Sequence, residues 1–355
     1  MASNGSGQLR TPAPSSGGAV VVPVAQACHS SLGAASPSRP SCSRIPGSSR
    51  DRAARATPSA RGGAIAGDFD YRPAVRLRIA TCLTLPEPDP DQAPLDAALA
   101  AAGVDAAWVA WDDPAADWDA PVPTIIRSTW NYVHDRDGYL AWCERVARAA
   151  PLWNPPDVVR ASTHKRYLIE LAARGVPVVP TALIERGAAV DVAAIAAGHG
   201  WGRLVIKPAV GAGSFGARVF AAEERAAATA HAAALAATGE VLVQPYVASV
   251  DDHGERSLVW IDGAFTHQIR KSPRFAGDAE SVTGPYPITD DERAVATAAI
   301  APWADRILYG RVDLARDDRG APMVMELELA EPSLFFALGA GAADRYVAGL
   351  RRRLG

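Results

Sequence analysis

The chain has 355 residues, 48% hydrophobic and 21% charged, a balance that builds a core in water over two or three domains. Its formal net charge is -3 and no Lys/Arg-rich run is interleaved with aromatics, which argues against a nucleic-acid binder. No stretch approaches the ~20 apolar residues of a membrane helix, and Cys28, Cys42, Cys82 and Cys143 form no C-x-x-C pair, as expected of free thiols in a reducing cytoplasm.

Residues 1–74 are rich in Ala, Ser, Gly, Pro and Arg, contain no Lys and lack apolar periodicity. Such a composition buries too little surface to offset chain entropy, so a disordered tail is expected. An organellar transit segment and a translation start near Val75 are the other readings; the short run around Val20-Val21-Val22-Pro23 is a poor secretion signal. Order is expected from residues 77–83, a buried-strand pattern, followed by an Ala/Leu helix at 95–102 that stops at Gly103. Strands at 107–111 and 124–127 complete a parallel α/β unit.

Next, Ser162-Thr163-His164-Lys165 opens a helix with Ser162 as N-cap, ending at Gly175. Pro177-Val178-Val179-Pro180-Thr181 reads as an edge strand. Then come a helix at 191–198, strands at 204–207 and 218–220, an Ala-rich helix at 222–237 and a strand at 241–246. The last part carries strands at 257–261, 264–270, 309–314 and 323–329, with helices near 290–301 and 341–353.

Two places carry chemistry. In the first, a buried strand delivers Lys207 to a loop, Gly211-Ala212-Gly213-Ser214-Phe215-Gly216, and a second strand follows. Glycines let backbone N–H groups approach an anion. No G-K-[ST] follows and no helix begins there, so neither a Walker loop nor a Rossmann turn fits. A flap over phosphates and a plain hairpin both remain. In the second, Arg311 and Asp313 alternate on one strand, and Glu326 and Glu328 on another. Residues i and i+2 of a strand share a face, so these charges converge from otherwise apolar strands. Converging carboxylates suit Mg2+. The alternative is an ion-pair ladder with Arg311, against which stand three acids to one arginine.

With Lys165 before the Gly175–Thr181 turn, Lys207 before the flap, the strand Gln244-Pro245-Tyr246-Val247, and Asp313 followed by Glu326-x-Glu328, the order of features resembles the ATP-grasp superfamily. That is the fold of glutathione synthetase and D-alanine–D-alanine ligase. The resemblance spans about residues 77–350. It implies two α+β lobes clasping ATP, at 161–246 and 247–355, preceded by a parallel α/β domain at 75–160. It further implies that Lys165 and Lys207 contact the α- and β-phosphates and that Gly211, Gly213, Ser214, Phe215 and Gly216 close over the β- and γ-phosphates. Gln244, Pro245, Tyr246 and Val247 would border adenine, and Glu255 would reach ribose or substrate. Asp313, Glu326 and Glu328 would hold Mg2+, with Mn2+ as the substitute, and Arg311 would stabilise the transferred phosphoryl group. Glu328 stands where the superfamily usually has asparagine. The ending Leu329-Ala330-Glu331-Pro332-Ser333-Leu334 and the segment Arg127-Ser128-Thr129-Trp130-Asn131-Tyr132 are similar to the cyclo-ligases that form D-cycloserine from O-ureido-D-serine.

Arg127, at a strand end, is a candidate for a substrate carboxylate, or else pairs with Asp135 or Asp137. Arg270 and Lys271 are candidates for an acyl phosphate, or else a solvated edge. The expected activity is ATP-dependent joining of a carboxylate to an amine on an amino-acid-like or small peptide substrate, including intramolecular cyclisation. A small-molecule kinase and a non-catalytic nucleotide-binding module are the alternatives. A cytoplasmic enzyme with no nucleic-acid or membrane partner is expected, with a homodimer left open.

Overall fold

The structure is a computed structural model, and it describes residues 75–272 and 281–355. The expectations for residues 1–74, with Cys28 and Cys42, lie outside the described residues. No helix among the described residues is long and apolar enough to cross a membrane.

The expected parallel unit is present. Strands β1 (Val75–Thr81), β2 (Val104–Ala110), β3 (Thr124–Ile126) and β4 (Leu152–Trp153) form a parallel sheet in the order β2-β1-β3-β4. Helix α1 (Gln92–Ala101) packs on it through Leu95 and Leu99. Gly103 takes φ +68° just past that helix, a left-handed position where glycine carries no Cβ penalty. Helix α2 (Arg136–Ala149) was not anticipated, although Tyr139, Cys143 and Val146 recur at helical spacing. Asp135 caps it by accepting from the Gly138 N–H.

Ser162 is not an N-cap. It is the last residue of α3 (Pro156–Ser162), and Lys165 lies in the turn before α4 (Tyr167–Ala173). The Ser162 hydroxyl instead accepts from the Leu329 N–H at 2.8 Å. Residues 177–181 do not form the expected strand. They make a single bridge from Val178 to Val324, and the sheet strand is β5 (Ala182–Ile184). Antiparallel β5, β6 (Leu204–Pro208), β7 (Arg218–Phe220) and β8 (Val241–Pro245) run in the order β5-β8-β6-β7. Helices α5 (Val192–His199) and α6 (Arg225–Ala236) cover one face, where Ala196, Ala228 and Ala232 meet Leu204, Ile206 and Val243. Their alanines allow close packing.

After α7 (Ser249–Asp252), the last sheet is antiparallel, ordered β11-β10-β9-β12-β13. Its strands are β9 (Glu255–Ile261), β10 (Ala264–Lys271), β11 (Val282–Tyr286), β12 (Tyr309–Arg316) and β13 (Pro322–Glu328). One face, with Val312, Leu314 and Leu327, packs on α4 and on α8 (Asp290–Ile300). Val259, Ile261 and Tyr309 contribute to a second core with α9 (Ala342–Leu354) and with Leu77 and Ile79 of the first sheet. Alternation sends Arg311 and Asp313 to the side of β12 away from Val312. Two cores therefore fix β12 from both faces, and the charges lie on a rigid strand.

Candidate active site

Strand pairing brings the acids together. Arg311 lies opposite Glu328 and Asp313 opposite Glu326, with a register shift just beyond Asp313. One carboxylate oxygen from each of Asp313, Glu326 and Glu328 lies within 4.8 Å of the others. Arg311 grips Asp313 with two hydrogen bonds of 2.8 Å and donates to Glu328 at 2.6 Å and to the Ser333 carbonyl at 3.0 Å. Lys271, on β10, reaches Asp313 at 3.0 Å and also pairs with Glu255. The acids are thus balanced by more than Arg311.

Two further lysines arrive from another sheet. Lys207 stands near the end of β6, on the face opposite the core residues Leu204 and Ile206. The Lys165 N–H donates to the Ala209 carbonyl at 2.8 Å, which ties the turn before α4 to the strand end. Both ammonium groups converge on Glu326 Oε1, Lys165 at 3.1 Å and Lys207 at 3.2 Å. Burial pushes the Lys207 ammonium well below its usual range; Glu326 opposes that shift and Lys165 adds to it. A buried and a half-buried ammonium side by side favour a bound polyanion.

Burial acts on each carboxyl too, and the neighbours decide the outcome. Asp313 is held well below the usual carboxylate range because Arg311 and Lys271 outweigh burial. Glu326 comes down to about 2 against burial, through Lys165 and Lys207. Glu328, with Arg311 opposing burial and two acids nearby, rises to about 7. Glu255 rises to about 8, since burial exceeds the pull of Lys271. An all-oxygen donor set of this charge fits a hard divalent cation.

The loop after β6 combines backbone freedom with contact to the first domain. Gly213 and Gly216 take φ of +54° and +69°, and Ser214, at +67°, joins them in the left-handed region. A Cβ at Gly216 would come within 3.1 Å of Pro208 Cδ, whereas at Gly211 it would meet only ordinary contacts. Phe215 is 51% exposed, and its ring meets His134 edge-on at 5.3 Å. Lys165 also donates to the Gly211 carbonyl at 2.9 Å.

On β8, Gln244 is fully buried and donates to the Thr181 hydroxyl, leaving its own Oε1 without a partner. Pro245 ends the strand. The Tyr246 N–H is taken by the Arg203 carbonyl at 2.8 Å, and the Arg203 guanidinium stacks on the Tyr246 ring, 3.7 Å from its centroid. Val247 packs with Val250 and Met325.

Two residues expected at the substrate are engaged by protein groups. Arg127 is 1% exposed and pairs with Asp91 at 2.8 Å, not with Asp135 or Asp137. Its Nε and Nη1 have no hydrogen-bond partner among the described residues. Arg270 donates to the carbonyls of His253 and Asp252, tying β10 to α7, while Lys271 points the other way into the acid cluster by strand alternation. Sequence reasoning missed Asp91 and Asn154. The Asn154 side chain donates to the Tyr309 and Leu329 carbonyls at 2.8 and 2.7 Å and accepts from the Leu308 N–H, which holds the ends of β12 and β13 together. Asn154 sits in the turn Trp153-Asn154-Pro155-Pro156, whose adjacent prolines were a signal in the sequence.

Residues 77–154 match the family described as D-cycloserine synthetase DcsG, N-terminal domain. The cycloserine biosynthesis protein DcsG of Streptomyces lavendulae is 36% identical over 285 residues, covering 75% of this chain and 94% of that protein. The crystal structure of D-cycloserine synthetase DcsG superposes with a TM-score of 0.73 at 35% identity, covering 79% of this chain and 100% of the other. The D-alanyl-alanine synthetase A of Vibrio cholerae O1 shares the fold, with a TM-score of 0.61 at 14% identity over 79% of this chain and 98% of that one.

Fold and site together define an ATP-grasp ligase, an enzyme that uses ATP and a divalent metal to form carbon–nitrogen bonds. Within that class, the chain belongs to the family of the D-cycloserine synthetase DcsG.

Proposed function

We propose that this ligase activates the carboxylate of a small amino-acid-like substrate as an acyl phosphate and lets an amine capture it, with intramolecular ring closure as the preferred outcome. The observation that carries this reading is the meeting of Lys165 and Lys207 on Glu326, beside three clustered carboxylates and next to a glycine loop. Phosphoryl transfer depends on positioning and charge stabilisation, and this arrangement supplies both.

In this reading the three sheets mark a first domain at 75–160 and two lobes at 161–246 and 247–355. Lys165 and Lys207 hold the nucleotide phosphates, and the loop from Gly211 through Gly216 covers them with its N–H groups. The Gln244–Val247 segment borders the adenine, and Glu255 lies toward the ribose or substrate. Asp313, Glu326 and Glu328 would hold Mg2+, or Mn2+ in its place. Such an ion neutralises phosphate charge when bound. Arg311, already oriented by Asp313 and Glu328, directs its guanidinium charge toward the transferred group. Lys271 is oriented in the same way by Glu255 and Asp313. The reaction is assigned to the cytoplasm, and light scattering distinguishes monomer from homodimer.

The test is phosphate release from ATP and Mg2+ across a panel of D- and L-amino acids, singly and in pairs, and O-ureido-D-serine, with mass spectrometry of the products. A condensed or cyclised product with stoichiometric phosphate is expected. A phosphorylated substrate with no new carbon–nitrogen bond would mean a kinase.

A further inference from the structure

The segment from Leu329 to Phe336, just beyond the metal acids, is held by side chains along most of its length. The Leu329 carbonyl accepts from Asn154, the Ala330 carbonyl from the Tyr309 hydroxyl at 2.8 Å, and the Glu331 carbonyl from Trp130 Nε1 at 3.1 Å. The Ser333 carbonyl accepts from Arg311, and the Leu334 carbonyl from His267 at 2.9 Å. The Leu334 and Phe336 N–H groups both donate to Asp91. These anchors come from connections of the first domain (Asp91, Trp130 and Asn154) and from strands of the last sheet (His267, Tyr309 and Arg311), so the backbone of the segment has little freedom.

On this fixed backbone sits a buried carboxyl group. Glu331 is only 9% exposed, and among the described residues its carboxylate is hydrogen-bonded to nothing but its own backbone N–H. It lies within electrostatic reach of Glu328, Lys165 and Arg311 on one side, and of Tyr132 and Tyr139 of the first domain on the other. It is not one of the three clustered carboxylates. The nearby cations are already engaged: Lys165 by Glu326 and Arg311 by Asp313 and Glu328. A buried carboxylate with no cation paired to it is costly, and burial first, Glu328 second, push the Glu331 carboxyl up to about 8. Costly groups held rigidly at the edge of a reaction centre are expected where function opposes stability.

We infer that Glu331 is the anchor for the ammonium group of the substrate, fixing an amino acid between the metal acids and the first domain. Opposite charge in a desolvated site gives a strong, directional contact. The inference rests on the amino-acid-ligase reading above and adds to it the group that selects amino acids over simple carboxylic acids.

The experiment uses the full chain with Mg2+ and ATP. Wild type and E331Q are assayed for phosphate release against the D- and L-amino-acid panel, O-ureido-D-serine and the des-amino analogue of whichever member is turned over. Replacing the carboxylate by an isosteric amide should raise the amino-acid KM by about 10- to 150-fold, the equivalent of one charge-assisted contact. The KM for ATP should stay within a factor of two or so, and preference for the amino acid over its des-amino analogue should collapse. Restoring the carboxylate one methylene shorter, in E331D, should recover part of that preference. The melting temperature of E331Q should equal or exceed that of wild type, because the change removes a buried carboxyl whose charged form burial and Glu328 disfavour. An E331Q enzyme with an unchanged amino-acid KM, a raised ATP KM or metal requirement, or a lowered melting temperature overturns the assignment. If no amino acid stimulates wild type, the ligase reading itself falls and this inference with it; stimulation that is indifferent to E331Q overturns this inference alone.

Discussion

Arg127 and Asp91 form an ion pair at 2.8 Å, with side chains 1% and 0% exposed, that joins the end of β3 to the start of α1. Asp91 also accepts from the Leu334 and Phe336 N–H groups, so one carboxylate ties the first domain to the segment beyond the metal acids. The guanidinium lies 5.8 Å from the centroids of both the Tyr309 and Phe336 rings. The pair acts as a joint between elements far apart in sequence.

Asp91→Ala should therefore unfold easily. It strands a buried guanidinium and two buried N–H groups, and breaking a buried pair costs about 3–5 kcal/mol. Denaturant melts should show that loss, and Arg127→Met in the same chain should restore part of it. An Asp91→Ala protein as stable as wild type would show that the joint carries no stability.

Lys207→Ala should keep its fold and lose nucleotide affinity. Glu326 retains Lys165 as a partner, so the remaining cluster stays paired. Loss of one charge-assisted phosphate contact should weaken ATP binding by roughly 10- to 150-fold. Calorimetry showing unchanged affinity with normal circular dichroism would remove Lys207 from the nucleotide site.

Glu326→Gln should lower turnover by more than about tenfold, the effect of 1.4 kcal/mol or more. The amide keeps the volume and an acceptor for Lys165 and Lys207, but not the charge for the metal. The melting temperature should fall modestly without ligand. Mg-ATP, whose phosphates supply the missing negative charge, should restore it if it still binds. Full turnover at ordinary Mg2+ would show that Glu326 serves only the lysines.

Gly216→Ala should act on the flap and little else. The residue sits at φ +69°, and an added Cβ would press on Pro208 Cδ at 3.1 Å. Strain of this kind costs about 1–3 kcal/mol and is relieved by moving the loop. The expected result is a raised KM for ATP with a melt close to wild type. An unaltered KM would mean that the loop does not close on the nucleotide.

Several features of the site were legible in the linear order of residues. Alternation on a strand depends only on backbone geometry, so the shared face of Arg311 with Asp313, and of Glu326 with Glu328, could be read directly. Lys207 at a strand end before a glycine loop was equally local, as were the parallel unit with its short spacings and the helix ending near Gly103. Pairing across long separations was not local. Asp91 and Arg127 stand 36 positions apart, and nothing near Arg127 favoured Asp91 over the closer Asp135 and Asp137. The balance of the acids looked like three against one arginine because Lys165, Lys207 and Lys271 reach them from other elements. Ser162 looked like a helix start because cap residues also serve tertiary bonds, and here the partner is Leu329. Sequence alone determined which groups each strand and loop could present, since that follows from backbone periodicity. Tertiary structure decided which charges meet and which stay unpaired, because burial and long-range contact set the energy of a charge.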